Sequence, residues 1–350
     1  MKVLIDIGHP AHFYLFLNPY RALKEYGFDF IFTVRNRKSI TNLLDHYDVQ
    51  YLVASNPKQG LFGLFVELIV HNFKVLLFSL KFKPDFLIGT SPSAAHIASL
   101  LGLKSIIFNE DDFDYVLLFS LITYPLASHI VIPNVLRDPF NSKQIRHNSL
   151  HELSYLHPNS FKNFNLKHDF QNDPNKRLYL IRCVSLHAHH DVNHRGIDFP
   201  LLRKMIDLLS QSGTILISFE GECPQEFKEY EFCYQPYLMH SFIKKAHLFI
   251  SDSQTMSLES ALLGTPAIRV NTFKAKCSII NDVEFNHELI FSFFPNDIEN
   301  ILEYIDTFKE NSLAYKRWKL RYDNFIKSKI NFSDTIVEII LKLSSYYGFK

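Results

Sequence analysis

Short runs of consecutive apolar residues alternate with segments whose apolar positions recur every three or four residues, and this alternation continues along most of the chain. The first run, KVLIDIG at 2–8, reads as a strand covered on both faces. A polar loop follows, and Leu17, Tyr20 and Leu23 then mark one face of a helix that closes at Gly27. FDFIFTV (28–34) predicts a second strand, RKSITNLLDHY a helix, VQYLVA a third strand, and 61–82 a long apolar helix ending before Pro84. DFLIGT (85–90), KSIIFNE (104–110) and SHIVIPN (128–134) continue the strands, with SAAHIASLLG as a helix stopped at Gly102. Strands that are apolar throughout and separated by helices predict a parallel sheet with helices on both faces.

From about 140 to 175 the texture changes to His, Asn, Ser, Lys and Pro without period, as expected of a connection between domains. A second alternating set follows: RLYLIRC (177–183), a helix through Leu201 to Leu209, TILISF (214–219), a helix at 237–246, HLFISDS (247–253), a helix at 256–263 and PAIRV (266–270). The pattern predicts an α/β chain of two Rossmann-like domains, 1–160 and 175–325, with an amphipathic helix in 326–350 packing back on them. At 350 residues and 47% apolar side chains, both domains have material for a core.

Thirty-seven Lys and Arg balance 36 Asp and Glu, so no overall field points to nucleic acid. The cysteines, Cys183, Cys223, Cys233 and Cys277, form no C-x-x-C pair, which argues against a zinc knuckle or a disulfide framework and fits a cytoplasmic chain. Segment 61–82 is interrupted by Glu67, His71 and Lys74, each costly at a bilayer centre. With LLFSLITYPL (117–126) it has two readings. The simpler makes both segments core helices; the other makes them an apolar face in peripheral contact with the inner membrane face, with Lys74, Lys81 and Lys83 nearby.

Ligands of doubly wound sheets sit beyond the carboxyl ends of the strands, so the loops there carry the candidate chemistry. In GHPAH, Gly8 lets the backbone approach a ligand and His9 or His12 can serve as general base; alternatively the histidines only bond neighbouring loops. Ser91 follows the fourth strand. Glu110, Asp111 and Asp112 follow the fifth, Glu110 being the candidate acid or base and Asp112 part of a solvated turn. In SDSQTMSLE, the hydroxyls and amides of Ser253, Gln254 and Thr255 at a helix start suit phosphate oxygens, and Glu259 one turn on suits a ribose diol. The competing reading is a helix cap and a surface carboxylate. The histidines of LHAHHDVNHRG match no zinc template, so no metal is expected, and Arg182 is either a phosphate fork or an outward strand residue. His240, at a helix start with no visible partner, reads as structural.

The segment SDSQTMSLESALLGTPAIR resembles the nucleotide-binding strand–loop–helix of the glycosyltransferase B-fold group, and Ser251-Asp252-Ser253 with Glu259 resembles non-hydrolysing UDP-N-acetylglucosamine 2-epimerases. IDIGHPAHFYLF and IRCVSLHAHHD, taken with it, are similar to domain-of-unknown-function family 354, related to both. The resemblance implies two Rossmann-like domains facing across a cleft that holds a nucleotide-sugar, with Ser253, Gln254 and Thr255 at the diphosphate and Glu259 at the ribose. It places Arg182, His187 and His190 on phosphate or sugar. Gln254-Thr255 stands where the epimerases have Gly-Gly, and Leu258 where they have a second Glu. The expected activity is metal-independent transfer of a sugar from a nucleotide-sugar donor to a surface-glycan or lipid-linked acceptor, with His9, His12 or Glu110 as base and no cofactor besides that substrate. The alternatives are a 2-epimerase using Glu110 with His187, and a catalytically silent nucleotide-sugar-binding partner.

Overall fold

The computed structural model describes residues 1–139, 141–164, 177–184, 196–272, 277–309, 312–346 and 348. It divides into two compact units, Met1–Ser160 with Cys277–Ile279 and Ile330–Lys350, and Phe161–Lys276 with Ile280–Lys329.

The first unit runs β1 (Lys2–Ile7), α1 (Pro10–Glu25), β2 (Asp29–Arg35), α2 (Lys38–His46), β3 (Tyr51–Ser55), α3 (Gly60–Phe82), β4 (Phe86–Gly89), α4 (Pro92–Leu100), β5 (Lys104–Phe108), α5 (Leu117–Thr123), β6 (His129–Pro133), β7 (Gln144–His147) and α6 (Leu153–Leu156). The seven strands pair in parallel in the order β3-β2-β1-β4-β5-β6-β7, so the winding reverses between β1 and β4. Gly89 makes that junction close: a Cβ there would collide with the Asp6 carbonyl oxygen. The residues from 141 to 160 are not the expected connection. They form the seventh strand and α6 and belong to the first unit. QIRH is too short and polar to announce a strand, and its pairing with β6 supplies what its composition does not.

The apolar α3 is also not a core helix. Its buried residues are Glu67, His71, Val75 and Ser79, one every four residues, while Phe62, Phe65, Ile69, Phe73, Leu77 and Leu80 are exposed. The usual arrangement of an amphipathic helix is inverted, with polar side chains turned to the sheet.

The second unit runs β8 (Arg177–Cys183), α7 (Phe199–Leu209), β9 (Gly213–Phe219), α8 (Met239–Lys245), β10 (Leu248–Ser251), α9 (Gln254–Leu263), β11 (Ala267–Val270), α10 (Ser278–Asn281), which straddles the two units, β12 (Ile290–Phe293), α11 (Ile298–Lys309) and α12 (Leu313–Ser328). Its parallel sheet has the order β12-β11-β10-β8-β9 and reverses between β8 and β10. Trp318 of α12 is fully buried and donates to the Leu289 carbonyl at 3.0 Å. The ring of Tyr322 lies against Gly264, the left-handed C-cap of α9 at φ +87°, where a Cβ would meet that ring at 2.9 Å.

The last helix, α13 (Phe332–Tyr346), packs on α1 and α6 in the first unit. Phe332 stacks with His147 at 4.0 Å and with His151 at 5.3 Å between ring centroids.

Candidate functional site

At the β1/β4 reversal the first unit holds a cavity of about 440 Å³ lined by Gly8, His9 and His12 after β1, Arg35 at the end of β2 and Arg37 beyond it, Thr90 and Ser91 after β4, Glu67 and His71 of α3, and apolar side chains of α3 and α5. Such reversals leave a crevice because the crossover helices on either side lie on opposite faces of the sheet.

A chain of alternating charges runs beneath this cavity. Arg35 grips Glu67 with two hydrogen bonds, Nε to Oε1 at 2.5 Å and Nη2 to Oε2 at 2.8 Å. Ser55 Oγ donates to Glu67 Oε1 at 3.1 Å and lies 2.8 Å from His71 Nδ1. Having given its only proton to Glu67, that hydroxyl must accept from Nδ1–H. His71 Nε2 is 2.8 Å from Asp6 Oδ1. Both ring nitrogens therefore donate, and His71 is an imidazolium. Its pKa is raised accordingly: burial opposes the charge, but the adjacent Asp6 carboxylate outweighs it. Burial likewise pushes Glu67 up, and the Arg35 fork, the Lys58 amide and Ser55 bring it below the usual carboxylate range. Asp6, wholly buried, also accepts Thr33 Oγ1 at 2.5 Å and the Ser91 hydroxyl.

The two histidines on the cavity wall have different hydrogen-bond roles. His9 is the N-cap of α1, and its Nδ1 accepts the Ala11 amide at 3.2 Å. The neutral ring then carries its proton on Nε2, as a donor. His12 Nδ1 is 2.6 Å from Thr90 Oγ1. Its ring keeps some accessible surface but is packed closely enough that burial, aided by His9 and opposed by Asp6, lowers its pKa to about 3. His12 is neutral across the physiological range. Arg37 is half-buried, and its guanidinium has no hydrogen-bond or ion-pair partner among the described residues; burial and Arg35 lower its pKa.

Glu110 does not line this cavity. Its Oε2 lies 3.4 Å from Nδ1 of the buried His151, whose pKa is lowered by burial, by His147 and by His12. Asp112 is not in a solvated turn. It is 0% exposed and accepts the amides of Arg137 at 2.9 Å and Ser278 at 2.8 Å. Burial raises its pKa, but these amides and the Arg137 guanidinium hold it below the usual range. Its neighbour Asp111 is pushed up by burial and by Asp112.

In the second unit the turn after β10 sits at the β8/β10 reversal. Ser253 caps α9, its Oγ accepting the Met256 amide at 3.4 Å, and Ser251 Oγ donates to the Arg182 carbonyl at 2.8 Å. Gln254 and Thr255 in the first turn make no side-chain hydrogen bond among the described residues. Asp252 ties the two loops together, accepting the Val184 amide at 2.7 Å, and burial raises its pKa to about 6. Glu259 is not a solvated surface carboxylate: it is buried, 3.2 Å from Nε2 of His240, which thereby has the partner the sequence did not display. Arg182 leans on β9, Nη1 donating to Ser218 at 2.6 Å, with its Nε buried and without a hydrogen-bond partner among the described residues. His187 and His190 lie outside the described residues.

No curated protein matches the sequence. Residues 1–329 match the family described as protein of unknown function DUF354. The chain belongs to the DUF354 family. This DUF354 chain is similar in structure to the UDP-GlcNAc 2-epimerase from Neisseria meningitidis bound to UDP-GlcNAc, with TM-score 0.71 and 15% identity over 98% of this chain and 100% of that one. It is similar to the UDP-GlcNAc 2-epimerase from Methanocaldococcus jannaschii, TM-score 0.69 and 15% identity over 99% and 100%. A spinosyn rhamnosyltransferase complexed with spinosyn aglycone gives 0.65 and 11% over 97% and 100%. The fold is that of B-type glycosyltransferases and these epimerases, with two Rossmann-like domains.

Within the DUF354 chain, sequence reasoning passed over Asp6, Arg35, Arg37 and the inward roles of Glu67 and His71. The usable signals were a single Asp inside the otherwise apolar KVLIDI, and a Glu and a His four residues apart on an apolar helix.

Proposed function

We propose that this chain is a nucleotide-sugar enzyme of the transferase type, moving a glycosyl group from a nucleoside diphosphate sugar to an acceptor hydroxyl. The observation that carries the reading is the cavity at the β1/β4 reversal, where His9 and His12 stand on one wall with different hydrogen-bond roles.

With His12 Nδ1–H donating to Thr90, the Nε2 lone pair accepts a hydrogen bond from the acceptor hydroxyl; a base this weak takes the proton late, once bonding of that oxygen to the anomeric carbon has made it strongly acidic. His9 Nε2–H donates to the acceptor and orients it. The bond from the anomeric carbon to the diphosphate oxygen breaks, and the nucleoside diphosphate leaves with the bonding pair. Its charge suits the first-turn amides of α9 with the Gln254 and Thr255 side chains, while Glu259, held by His240, accepts from the ribose hydroxyls. Arg37, a cavity cation without a protein partner among the described residues, fits an acceptor carrying phosphate or carboxylate, as surface glycans and lipid-linked sugars do.

A 2-epimerase reading is favoured by one arrangement, the Glu110–His151 pair with His12 electrostatically linked to it. In that case Glu110 and a histidine assist loss and return of the nucleoside diphosphate.

The test is thermal stabilisation across UDP-, GDP-, CMP- and dTDP-sugars, since a ligand bound only by the folded chain raises the melting temperature by mass action. One nucleotide should stabilise the protein and Glu259→Ala should remove that shift. No shift with any of them would remove the donor assignment. Incubating the stabilising nucleotide-sugar without acceptor tests the second reading: an epimerised sugar supports it, and an unchanged sugar removes it.

A further inference from the structure

The inverted helix α3 leaves a surface that water does not favour. Phe62 is 80% exposed, and Phe65 and Phe73 are each 60% exposed, with Ile69, Leu77 and Leu80 on the same side. On α5, Leu118 and Leu121 are exposed as well. His96 of α4 joins the two helices, with Nδ1 3.0 Å from Asn72 of α3 and Nε2 2.9 Å from the Ile122 carbonyl of α5, so the apolar groups stand on one braced platform. Isolated exposed apolar residues are ordinary, but a contiguous run of this kind marks a contact surface.

We propose that the outward face of α3 with α5 docks on an anionic lipid bilayer, lying in the plane of one leaflet. The helix is long and apolar enough to cross a membrane by length and composition. It is nonetheless fastened to the sheet by its polar stripe, Glu67 to Arg35 and His71 to Asp6, and crossing would place those ions in hydrocarbon. An in-plane position keeps the ion pairs in protein and gives the phenylalanines the acyl boundary.

Charge complementarity selects the partner. Lys58 precedes α3, Lys74 and Lys81 lie along one flank, and Lys83 ends it, whereas the one acid on α3 and α5 together, Glu67, is buried. A basic flank attracts anionic headgroups and repels a second copy of itself. The face is also continuous with the cavity, whose apolar wall is built by Leu64 and Leu68 of α3 and Leu118, Phe119 and Ile122 of α5. A lipid tail could pass from the leaflet along that wall with its phosphate at Arg37.

Docking on a bilayer needs no sugar, so its test is independent of the transferase chemistry. The full-length protein is sedimented with vesicles of phosphatidylcholine alone or of equal parts phosphatidylcholine and phosphatidylglycerol. It should pellet with the anionic vesicles and less with the neutral ones. Phe62→Ser/Phe65→Ser/Phe73→Ser should stay in the supernatant with both while melting as the parent does, since the three side chains are exposed. Lys74→Gln/Lys81→Gln should lose about fivefold in partition per lysine on anionic vesicles only. A Phe73→Trp variant should blue-shift its emission with vesicles, a readout that does not depend on pelleting. Wild-type protein that ignores both vesicle types would overturn the proposal. So would a lipid-free dimer that the triple serine variant dissolves, because a second copy would then cover the face.

Discussion

Asp6 on β1 and His71 on α3 are 65 residues apart in sequence and 2.8 Å apart in space, Oδ1 to Nε2, inside the first unit. This pair, with Arg35–Glu67 one turn away, turns the polar stripe of α3 inward and its phenylalanines outward. The same carboxylate takes the Ser91 hydroxyl, so the floor of the candidate site and the orientation of α3 depend on one residue.

Removing that carboxylate is therefore expected to be severe. Asp6→Ala leaves a buried imidazolium and two hydroxyls without their acceptor, and should cost about 3–5 kcal/mol in denaturant unfolding. Asp6→Asn keeps an acceptor oxygen and should cost less. Equal stability in parent and Asp6→Ala would show that the network contributes nothing to folding.

The pair also makes stability depend on pH in a defined direction. The folded-state pKa of His71 is raised above its unfolded value near 6.5. Its contribution is fully present below that value and is lost as pH rises through the folded pKa. The stability gap between the parent and His71→Gln should be largest near pH 6 and shrink at alkaline pH. A gap that widens with pH would contradict the imidazolium assignment.

Turnover should separate the two cavity histidines. His12→Ala, removing the proposed base, should lower kcat by about 10²–10⁴-fold with donor stabilisation intact. His9→Ala should act chiefly on acceptor KM, with a small loss of helix stability from its missing cap. Unchanged kcat in His12→Ala would end the assignment of that ring as base.

Arg37 predicts acceptor charge. Because its guanidinium contacts no carboxylate among the described residues, Arg37→Ala should leave melting nearly unchanged yet raise KM for an anionic acceptor by about tenfold or more, the loss of one charge-assisted hydrogen bond. An equal effect on a neutral acceptor would show that the arginine does not read charge.

The sequence by itself determined the succession of strands and helices, because a fully covered parallel strand must be apolar throughout, and KVLIDI and HLFIS are recognisable without a partner. It also located the loops of Gly8 to His12, Thr90 to Ser91 and Ser251 to Thr255, because each follows such a strand directly. Tertiary structure alone decided what those loops enclose. The pairings Asp6–His71, Arg35–Glu67 and Glu259–His240 join residues 65, 32 and 19 positions apart, and no local period encodes which strand will lie beneath which helix. The orientation of α3 shows the reason most plainly. Burial of apolar surface alone would have turned its phenylalanines inward, and only the ions waiting on β1 and β2 reverse it.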